Sequence, residues 1–272
     1  MLDEAALRRD TFVATIEQHD ELGSTSDRAL ELCRGGLPAL PALVYAERQT
    51  AGRGRQGKSW WSAEGGLTFS LVVDPRSLGL AEEHQSAVAF RVGVAVTQAL
   101  AETWPPRQNR PAMDCWVKWP NDVCVGWRKV AGVLVEAPVA PCGTRPLVIG
   151  VGINLNNLSA DAPLELQTRV ASVQELVGRR VTPAERGQLL AGLISGIERQ
   201  LRDIAAREPG ELNAGSRSPF DGRRVTLQTP LGKVFGEYRG VDDDGALLLL
   251  IDGRVERIVS GSELRLADGA DS

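Results

Sequence analysis

The sequence predicts an α+β protein, in which a domain built on a mixed β-sheet is followed by a small all-β domain. Three observations support this prediction. Apolar residues alternate in short runs such as Leu67–Val73 and Leu147–Ile153, as they do in β-strands. Between such runs, residues 88–99 and 190–204 carry apolar side chains at helical spacing. After Arg207 the helical spacing stops, and short apolar runs are divided by Gly, Pro and Asp.

Local patterns predict the remaining elements. The run Ser24-Thr25-Ser26-Asp27, followed by apolar residues and ended by Gly35-Gly36, is typical of a capped helix. Residues 47–66 are dense in Gly and Arg and predict a loop. Further strands are predicted at residues 40–46, 116–125 and 130–137.

The division into domains follows from a change in composition. Residues 208–219 are rich in Pro, Gly, Ser and Asn, which is typical of a linker. We therefore expect one domain over residues 1–218 and a C-terminal domain over residues 219–272. The short strands of the C-terminal domain predict a barrel of the SH3 kind.

Composition excludes several classes of function. The 272 residues are 43% hydrophobic and 24% charged, with a net charge of −4, so the protein as a whole is no phosphate-backbone binder. The N-terminus lacks the apolar core of a signal peptide, and no apolar run is long enough to span a bilayer. The four cysteines form no Cys-x-x-Cys pair, so we expect buried free thiols, no metal site and a cytoplasmic protein.

Residues 52–59, GRGRQGKS, match the P-loop pattern G-x-x-x-x-G-K-[ST]. A P-loop leads from a strand directly into a helix, whose N-terminus cradles the phosphates. Here Trp60, Trp61 and a Gly pair precede a strand, so we expect neither the helix nor a P-loop. Two arginines and a lysine on a glycine-rich backbone still suit carboxylate or phosphate. Alone, this loop is better explained as a solvated basic surface.

Three further polar segments accompany predicted strands. They are KWPND at residues 118–122, KVAG at residues 129–132 and GVGIN at residues 150–154. The glycines of the third segment let a ligand lie against the strand backbone. Each segment alone is explained equally well by an ordinary strand or hairpin with surface lysines. Together with the basic loop they indicate one binding site.

In combination these residues resemble the biotin protein ligases, the biotin–[acetyl-CoA-carboxylase] ligases. The resemblance rests on QTAGRGR at 49–55, KWPND at 118–122, KVAGVLVE at 129–136 and GVGIN at 150–154. It extends from about Leu22 to Leu266, and the tail from Gly222 resembles the family's C-terminal SH3-like domain. The resemblance implies a mixed-sheet catalytic domain of the class II synthetase and biotin/lipoate ligase kind, with a C-terminal SH3-like β-barrel.

The implied reaction has two steps. Biotin is activated by ATP to biotinyl-5′-AMP, and biotin is then transferred to a lysine of a biotin carboxyl carrier protein domain. Biotin and ATP with Mg²⁺ are thus the implied substrates. The loop at residues 52–58 is expected to close over the adenylate and exclude water.

The resemblance also implies roles for individual residues. The positions expected to contact biotin are Ser24, Thr25, Ser26, Gln49, Gly52, Arg53, Gly54, Arg55, Lys129, Gly150 and Gly152. Those expected to contact the nucleotide are Arg53, Arg55, Trp60, Asn121, Lys129 and Asn154. Ser26 departs from the family's usual Asn, and Lys58 stands where an arginine is common. The expected catalytic residues are Arg53, Lys129, Asp122 and Lys118.

The chemistry explains these catalytic assignments. Lys129 and Arg53 would neutralise the carboxylate of biotin and the α-phosphate of ATP. Asp122 would orient or deprotonate the acceptor lysine. Lys118, with Asn121, would contact phosphate groups and groups linked to Mg²⁺.

The expected partners follow from the same family. Some members also repress transcription through an N-terminal winged helix-turn-helix, and only 23 residues precede Ser24. We therefore expect a monofunctional ligase without a nucleic-acid or membrane partner. A homodimer formed by sheet extension, as in relatives, is compatible with this expectation.

Two alternatives stay open. A lipoate or octanoate ligase would use a similar fold and the same adenylate chemistry, although the GRGR and KWPND segments favour biotin. A nucleic-acid-binding module built from the basic loop and the β-rich tail is disfavoured by the acidic net charge. The tail also offers only Phe235 and Tyr238 for stacking on bases.

Overall fold

The computed structural model describes residues 3–106, 112–206 and 218–269. The helices in these ranges are α1 (Glu4–Asp10), α2 (Thr25–Gly35), α3 (Val88–Thr103), α4 (Val173–Val177) and α5 (Pro183–Ala205). The strands up to residue 153 are β1 (Thr15–Leu22), β2 (Ala42–Gln49), β3 (Leu67–Val73), β4 (Cys115–Lys118), β5 (Asp122–Val125), β6 (Arg128–Glu136) and β7 (Leu147–Ile153). The C-terminal strands are β8 (Arg224–Thr229), β9 (Gly232–Val241), β10 (Leu247–Ile251), β11 (Arg254–Ile258) and β12 (Ser262–Leu266).

Strands β1 to β7 form one mixed sheet in the order β1-β2-β3-β7-β6-β5-β4. The β1–β2 pair is parallel, and the other neighbours are antiparallel. With helices on both faces, the predicted α+β class is confirmed. The predicted strands at Leu67–Val73 and Leu147–Ile153 are confirmed to the residue.

The two faces of this sheet carry different side chains. Odd-numbered residues of β3 and β7, such as Phe69 and Ile149, join the large core with α3 and α5. Even-numbered residues point to the other face, where Val72 and Val148 pack against α2. Farther along that face the side chains become small. We call this part, formed by Ser70, Gly132, Gly150 and Gly152, the site face.

Helix α2 begins where its sequence predicts. The Ser24 side chain accepts a hydrogen bond from the backbone N–H of Asp27, which caps the first turn. Gly36 follows the helix with φ at 116°, a conformation that side-chain-bearing residues rarely adopt. The apolar side of α2 lies against β2, β3 and β7, so its N-terminal turn is held beside the site face.

One predicted strand, residues 116–125, is in fact two. β4 ends at Lys118 and β5 begins at Asp122, with a turn between them. Pro120 lies in this turn and lacks the N–H that a continuous strand would donate to its neighbour. The turn brings Asn121 and Asp122 back alongside β6.

The C-terminal strands form an antiparallel sheet in the order β11-β10-β9-β8-β12. The predicted all-β character is confirmed, but the edge strands β11 and β12 are not paired, so the described strands form an open sheet and no closed barrel. Its buried side, including Leu249 and Leu264, shares one core with Trp116 and Trp119 of the main sheet. Most of the predicted linker at 208–219 lies outside the described residues, and the domain boundary stays a prediction.

Several local features escaped the sequence patterns. Helix α1 and strand β1 were not predicted, because neither shows a clear apolar period. Cys33 and Cys124 are buried thiols as expected, but Cys142 is exposed. No helix in the described ranges is long and apolar enough to cross a membrane.

Candidate active site

A cavity of about 1000 Å³ lies between the site face, the Gly/Arg loop (residues 50–66) and strand β12. It brings together most of the residues that the sequence singled out: Ser24, Thr25, Ser26, Gln49, Arg53, Gly54, Arg55, Trp60, Lys118, Asn121, Asp122, Lys129, Gly150 and Gly152. Gly52 and Asn154 do not line it.

A chain of hydrogen-bonded hydroxyl groups begins at Thr25, Ser26 and Gln49 in the cavity lining and extends to Ser70 behind them. Ser70 Oγ donates to Thr25 Oγ1 at 2.9 Å, and Thr25 Oγ1 donates to Gln49 Oε1 at 3.1 Å. Each hydroxyl has one proton, so the 3.1 Å contact between Ser26 and Ser70 requires Ser26 Oγ to donate. The remaining lone pairs of Ser26 Oγ are therefore acceptors for a ligand N–H group. We call Thr25, Ser26, Gln49 and Ser70 the hydroxyl end.

The strands leave room for this chain only because of a glycine. A Cβ atom on Gly150 would lie 2.5 Å from Ser26 Oγ and 3.5 Å from Ser70 Oγ. Ser70 was not among the residues singled out from the sequence. Its position on the even-numbered face of β3, opposite the apolar core, was the available signal.

The Gly/Arg loop is a tight hairpin-like turn and not a P-loop. Gly52 O accepts a hydrogen bond from Trp60 N at 2.8 Å, and Gly54 N donates to Lys58 O at 2.7 Å. A single helical turn at Arg55–Gly57 lies at its tip, and no helix follows before β3. The rejection of a P-loop is thereby confirmed.

Trp60 lies flat on two paired glycines of the site face. Gly132 of β6 is opposite Gly152 of β7 in the sheet. A Cβ atom on Gly152 would lie 2.5 Å from Trp60 Cε2, and one on Gly132 would lie 3.2 Å from Trp60 Cζ3. The ammonium of Lys129 is 5.2 Å from the centre of the Trp60 ring, a cation–π distance. Gly132 thus belongs to the site; the KVAG segment at residues 129–132 included it, but the sequence analysis gave it no role.

Cationic side chains also line the cavity, and each is held by carboxylates or amides. Lys129 Nζ lies 2.6 Å from Asp122 Oδ1. Arg53 is paired with Asp27, at 2.8 Å from its Nε, and also with Glu136. We call the set formed by Arg53, Arg55, Asn121, Asp122 and Lys129 the charged end.

Asn121 connects the loop to the sheet. Arg55 Nη1 donates to Asn121 Oδ1 at 3.3 Å, while Asn121 Nδ2 donates to the Val133 carbonyl at 2.6 Å. The side chain of Arg55 is partly buried, and burial lowers the pKa of its guanidinium, which remains a cation at neutral pH. Lys118 also lines the cavity, with Nζ 5.7 Å from the centre of the Phe220 ring.

Asn154 has a different place from the one expected. Its side chain is buried, and its Nδ2 lies within 3.4 Å of the carbonyls of Lys129 and Ala171. Its Oδ1 accepts a hydrogen bond from Asn157. Asn154 therefore braces the start of β6 from outside the cavity, and its geometry gives no support to the predicted adenine contact.

Residues of the C-terminal sheet also line the cavity, and sequence reasoning missed them. They are Thr226, Lys233, Ser262, Glu263, Leu264, Arg265 and Leu266. No motif marks them, because only the packing of the two sheets brings them opposite the Gly/Arg loop. The cavity is therefore built by both sheets.

Two family profiles match this chain. The profile of the biotin/lipoate A/B protein ligase family matches residues 23–154, and that of the biotin protein ligase C terminal domain matches residues 222–263. The class is therefore that of the biotin and lipoate ligases. The bifunctional ligase/repressor BirA of Bacillus subtilis is 31% identical over 89% of this chain and 71% of its own. The biotin–[acetyl-CoA-carboxylase] ligase of Paracoccus denitrificans is 33% identical over 83% of this chain and 90% of its own.

A solved structure agrees with these sequence relatives. The biotin protein ligase from Aquifex aeolicus in complex with biotin and ATP superposes with a TM-score of 0.74 at 28% identity, covering 93% of this chain and 99% of that one. The chain belongs to the biotin protein ligase family, and it is accordingly a ligase enzyme.

Proposed function

We propose that this chain uses ATP to activate biotin as biotinyl-5′-AMP and then transfers biotin to a lysine of a biotin carboxyl carrier domain. The observation that carries the proposal is the order of groups along one cavity. Along the site face, Ser26 of the hydroxyl end lies over Gly150, Trp60 lies over Gly152, and Lys129 lies beside Gly132, while Arg53 lines the same cavity next to Asp27 and Glu136. A neutral polar ring, an acyl carboxylate and a nucleotide phosphate fit this order.

Biotin enters with its ureido ring at the hydroxyl end. The ring N–H groups find an acceptor in Ser26 Oγ, whose own proton is used on Ser70. Because Gly150 carries no Cβ, Ser26 Oγ fits over this strand at the cavity. The carboxylate at the other end of biotin then lies toward Lys129 and Arg53.

In the first step, a carboxylate oxygen of biotin attacks the α-phosphorus of ATP, and the bond to the leaving pyrophosphate breaks. Lys129 and Arg53 stabilise the negative charge that gathers on the phosphoryl oxygens. Trp60 offers a flat ring to the adenine base. Mg²⁺ arrives with ATP, and Asp122 and Glu263 are acids of the cavity lining near which it would lie.

In the second step, the amine of the acceptor lysine attacks the acyl carbon, and AMP leaves. Substrate anions draw Lys129 away from Asp122, which frees the Asp122 carboxylate to accept the proton of the amine. Lys129 therefore acts in the first step as a cation, and its partner Asp122 acts in the second step as a base.

A direct assay tests this proposal. The protein is incubated with biotin, Mg²⁺ and ATP labelled in the α-phosphate, and then with a carrier domain. We expect labelled biotinyl-AMP before the carrier is added, and biotinylated carrier with free AMP afterwards. A carrier whose acceptor lysine is replaced by arginine should remain unmodified. Absence of any labelled adenylate would refute the proposal.

A lipoate ligase is the alternative within the same class. The dithiolane ring of lipoate has no N–H to donate and would leave the remaining lone pairs of Ser26 Oγ without a ligand hydrogen bond. Buried polar groups left unpaired in this way discriminate by about 10⁴-fold. Calorimetric titration with biotin and with lipoate separates the two, and equal affinities would favour the alternative.

Other expectations stay predictions. Strand β1 is an edge of the described sheet, which supports a homodimer formed by sheet extension, and sedimentation tests it. The absence of repressor activity and the boundary at residues 218/219 also remain predictions.

A further inference from the structure

A turn of the C-terminal sheet, residues 242–245 between β9 and β10, is docked on the main sheet domain by three separate contacts. Ser86 Oγ donates to the Asp244 carbonyl at 2.7 Å, and Trp119 Nε1 donates to the Gly245 carbonyl at 2.8 Å. Gly245 also comes so close to the start of α3 that a Cβ on it would lie 2.6 Å from Ala87 Cα. We call this segment the docking turn.

The docking turn is itself firmly shaped. Arg257 donates to Asp242 Oδ2 at 2.6 Å and to Asp244 Oδ2 at 2.8 Å. Asp242 Oδ1 accepts the Ala246 N–H at 2.9 Å, which closes the turn. Gly245 has φ at 77°, a conformation that disfavours residues with a side chain. A turn held in this way presents its carbonyl groups in fixed positions.

Trp119, which bonds to the docking turn, belongs to residues 118–122, which we call the catalytic segment. Its side chain is 3% exposed, and its only polar atom is the indole N–H that donates to Gly245. Directly after Trp119 and Pro120, Asn121 contacts Arg55 and Asp122 is paired with Lys129. A shift of the Trp119 ring would therefore displace groups of the charged end.

We infer that the docking turn is a positioning element for adenylate formation, which acts through Trp119 on Asn121 and Asp122. This inference rests on the proposed function and adds a role for the C-terminal sheet besides lining the cavity. Residues 242–245 do not line the cavity, so their effect passes through Trp119. The hydroxyl end lies on α2, β2 and β3. None of the two hydrogen bonds and the close approach described above joins the docking turn to these elements.

Two indole hydrogen bonds allow a matched experiment. Trp116 is 4% exposed, lies in the same core as Trp119, and donates at 2.8 Å to the Gly126 carbonyl within its own sheet. Trp119→Phe and Trp116→Phe each remove one buried indole hydrogen bond, but only Trp119 bonds to the docking turn, and only Trp119 also lines the cavity. Ser86→Ala is the third variant, since Ser86 is exposed, lies outside the cavity lining and tethers the same turn.

The measurements are the pre-steady-state rate of adenylate formation, the Kd for biotin and the melting temperature of each variant. For Trp119→Phe we expect adenylate formation to slow about tenfold or more, because small displacements of reacting groups cost rate steeply. Its Kd for biotin should stay within about twofold of the wild type, and its melting temperature should match that of Trp116→Phe. Ser86→Ala should slow the rate by about threefold with the same unchanged Kd, as expected for one exposed tether.

The outcomes separate the possibilities. Equal rate losses in Trp119→Phe and Trp116→Phe, or a biotin Kd that weakens in parallel with the rate, would overturn the inference and assign Trp119 to general packing. Because Trp119 itself lines the cavity, Ser86→Ala is the deciding variant, and an unchanged rate in Ser86→Ala overturns the inference whether or not Trp119→Phe folds. A wild-type protein that forms no adenylate would instead contradict the proposed function.

Discussion

The two ends of the cavity are organised by different forces. At the hydroxyl end, four neutral side chains on α2, β2 and β3 satisfy one another through a buried hydrogen-bond chain. At the charged end, cations from a loop and a strand are held by carboxylates that remain one-quarter to one-half exposed. In the proposed reaction the hydroxyl end is thus preformed for its ligand, whereas the charged end exchanges protein partners for substrate anions.

In the proposed function, the hydroxyl end recognises the ring of the ligand and the charged end carries out the reaction. A preformed site of neutral groups selects one ring without paying for reorganisation. Exposed ion pairs are weak, and they can be replaced by phosphate and carboxylate groups at low cost. Substitutions that disturb one end and spare the other test this division.

Removing the central cation should have the largest effect. Lys129→Ala should lower kcat/KM for adenylate formation by about 10³-fold, since it removes a charge that stabilises the phosphoryl transition state. Biotin binding should weaken far less, because the hydroxyl end is intact. Single-turnover kinetics and calorimetry measure the two quantities. Arg34→Ala, an exposed cation at the end of α2, is the control and should leave both unchanged. A Lys129→Ala variant with wild-type adenylate formation would contradict the mechanism.

Two glycines on one strand allow the ends to be disturbed separately. In Gly150→Ala, the new Cβ would push Ser26 off its hydrogen bond to Ser70, so biotin affinity should fall by about 100-fold. In Gly152→Ala, the new Cβ would displace Trp60, so ATP affinity should fall by about tenfold while biotin binding changes little. Ligand titrations of each variant provide the test. Equal losses for both ligands in both variants would show that the ends are not independent.

Interrupting the hydroxyl chain should have a smaller effect. Ser70→Ala removes the acceptor for the Ser26 proton, and biotin affinity should fall by about tenfold through the loss of ordered hydroxyl groups. Thr68→Val is the matched control, because Thr68 lies on the same strand and face but donates to the Ala46 carbonyl outside the cavity. A biotin affinity lowered as much by Thr68→Val as by Ser70→Ala would refute the special role of the chain.

A change far from the cavity should affect stability alone. The hydrogen bond from Arg179 and that from the Thr182 backbone lower the pKa of Glu185, in the capping box of α5. A lowered carboxylate pKa stabilises the fold above the unfolded-state pKa, near 4.5, and this contribution is lost as pH falls below it. Glu185→Gln should therefore cost about 0.5 kcal/mol at pH 7, since solvent screens the pair, and progressively less as pH falls from about 4.5 through the lowered folded-state pKa. Denaturant unfolding at several pH values measures this, with activity per folded molecule unchanged. A stability difference that grows toward acidic pH would contradict the assignment.

The sequence predicted the site better than it predicted the connections around it. The Gly/Arg loop, Lys129 and the glycines of β7 could be identified because their residue types are unusual and ordered along the chain. Ser70 was missed, since one serine in a strand has no special pattern, and Gly132 was included in the KVAG segment without a role. Asn154 was expected in the site because it ends a motif. In the structure its amide donates to the carbonyl of Lys129 in β6 and to the carbonyl of Ala171, just before α4.

The sequence determined many of the elements, though not α1 or β1, and it marked most of the residues that line the cavity. Alternation of apolar residues predicted β3 and β7, the Ser24 cap predicted the start of α2, and helical spacing predicted α3 and α5. These patterns could be recognised because they depend only on neighbours along the chain. Only the tertiary structure decided that Ser70 completes the hydroxyl chain, that Trp60 lies on Gly132 and Gly152, and that the docking turn supports Trp119. These contacts join residues far apart in sequence, and their geometry depends on how the two sheets and the loop pack.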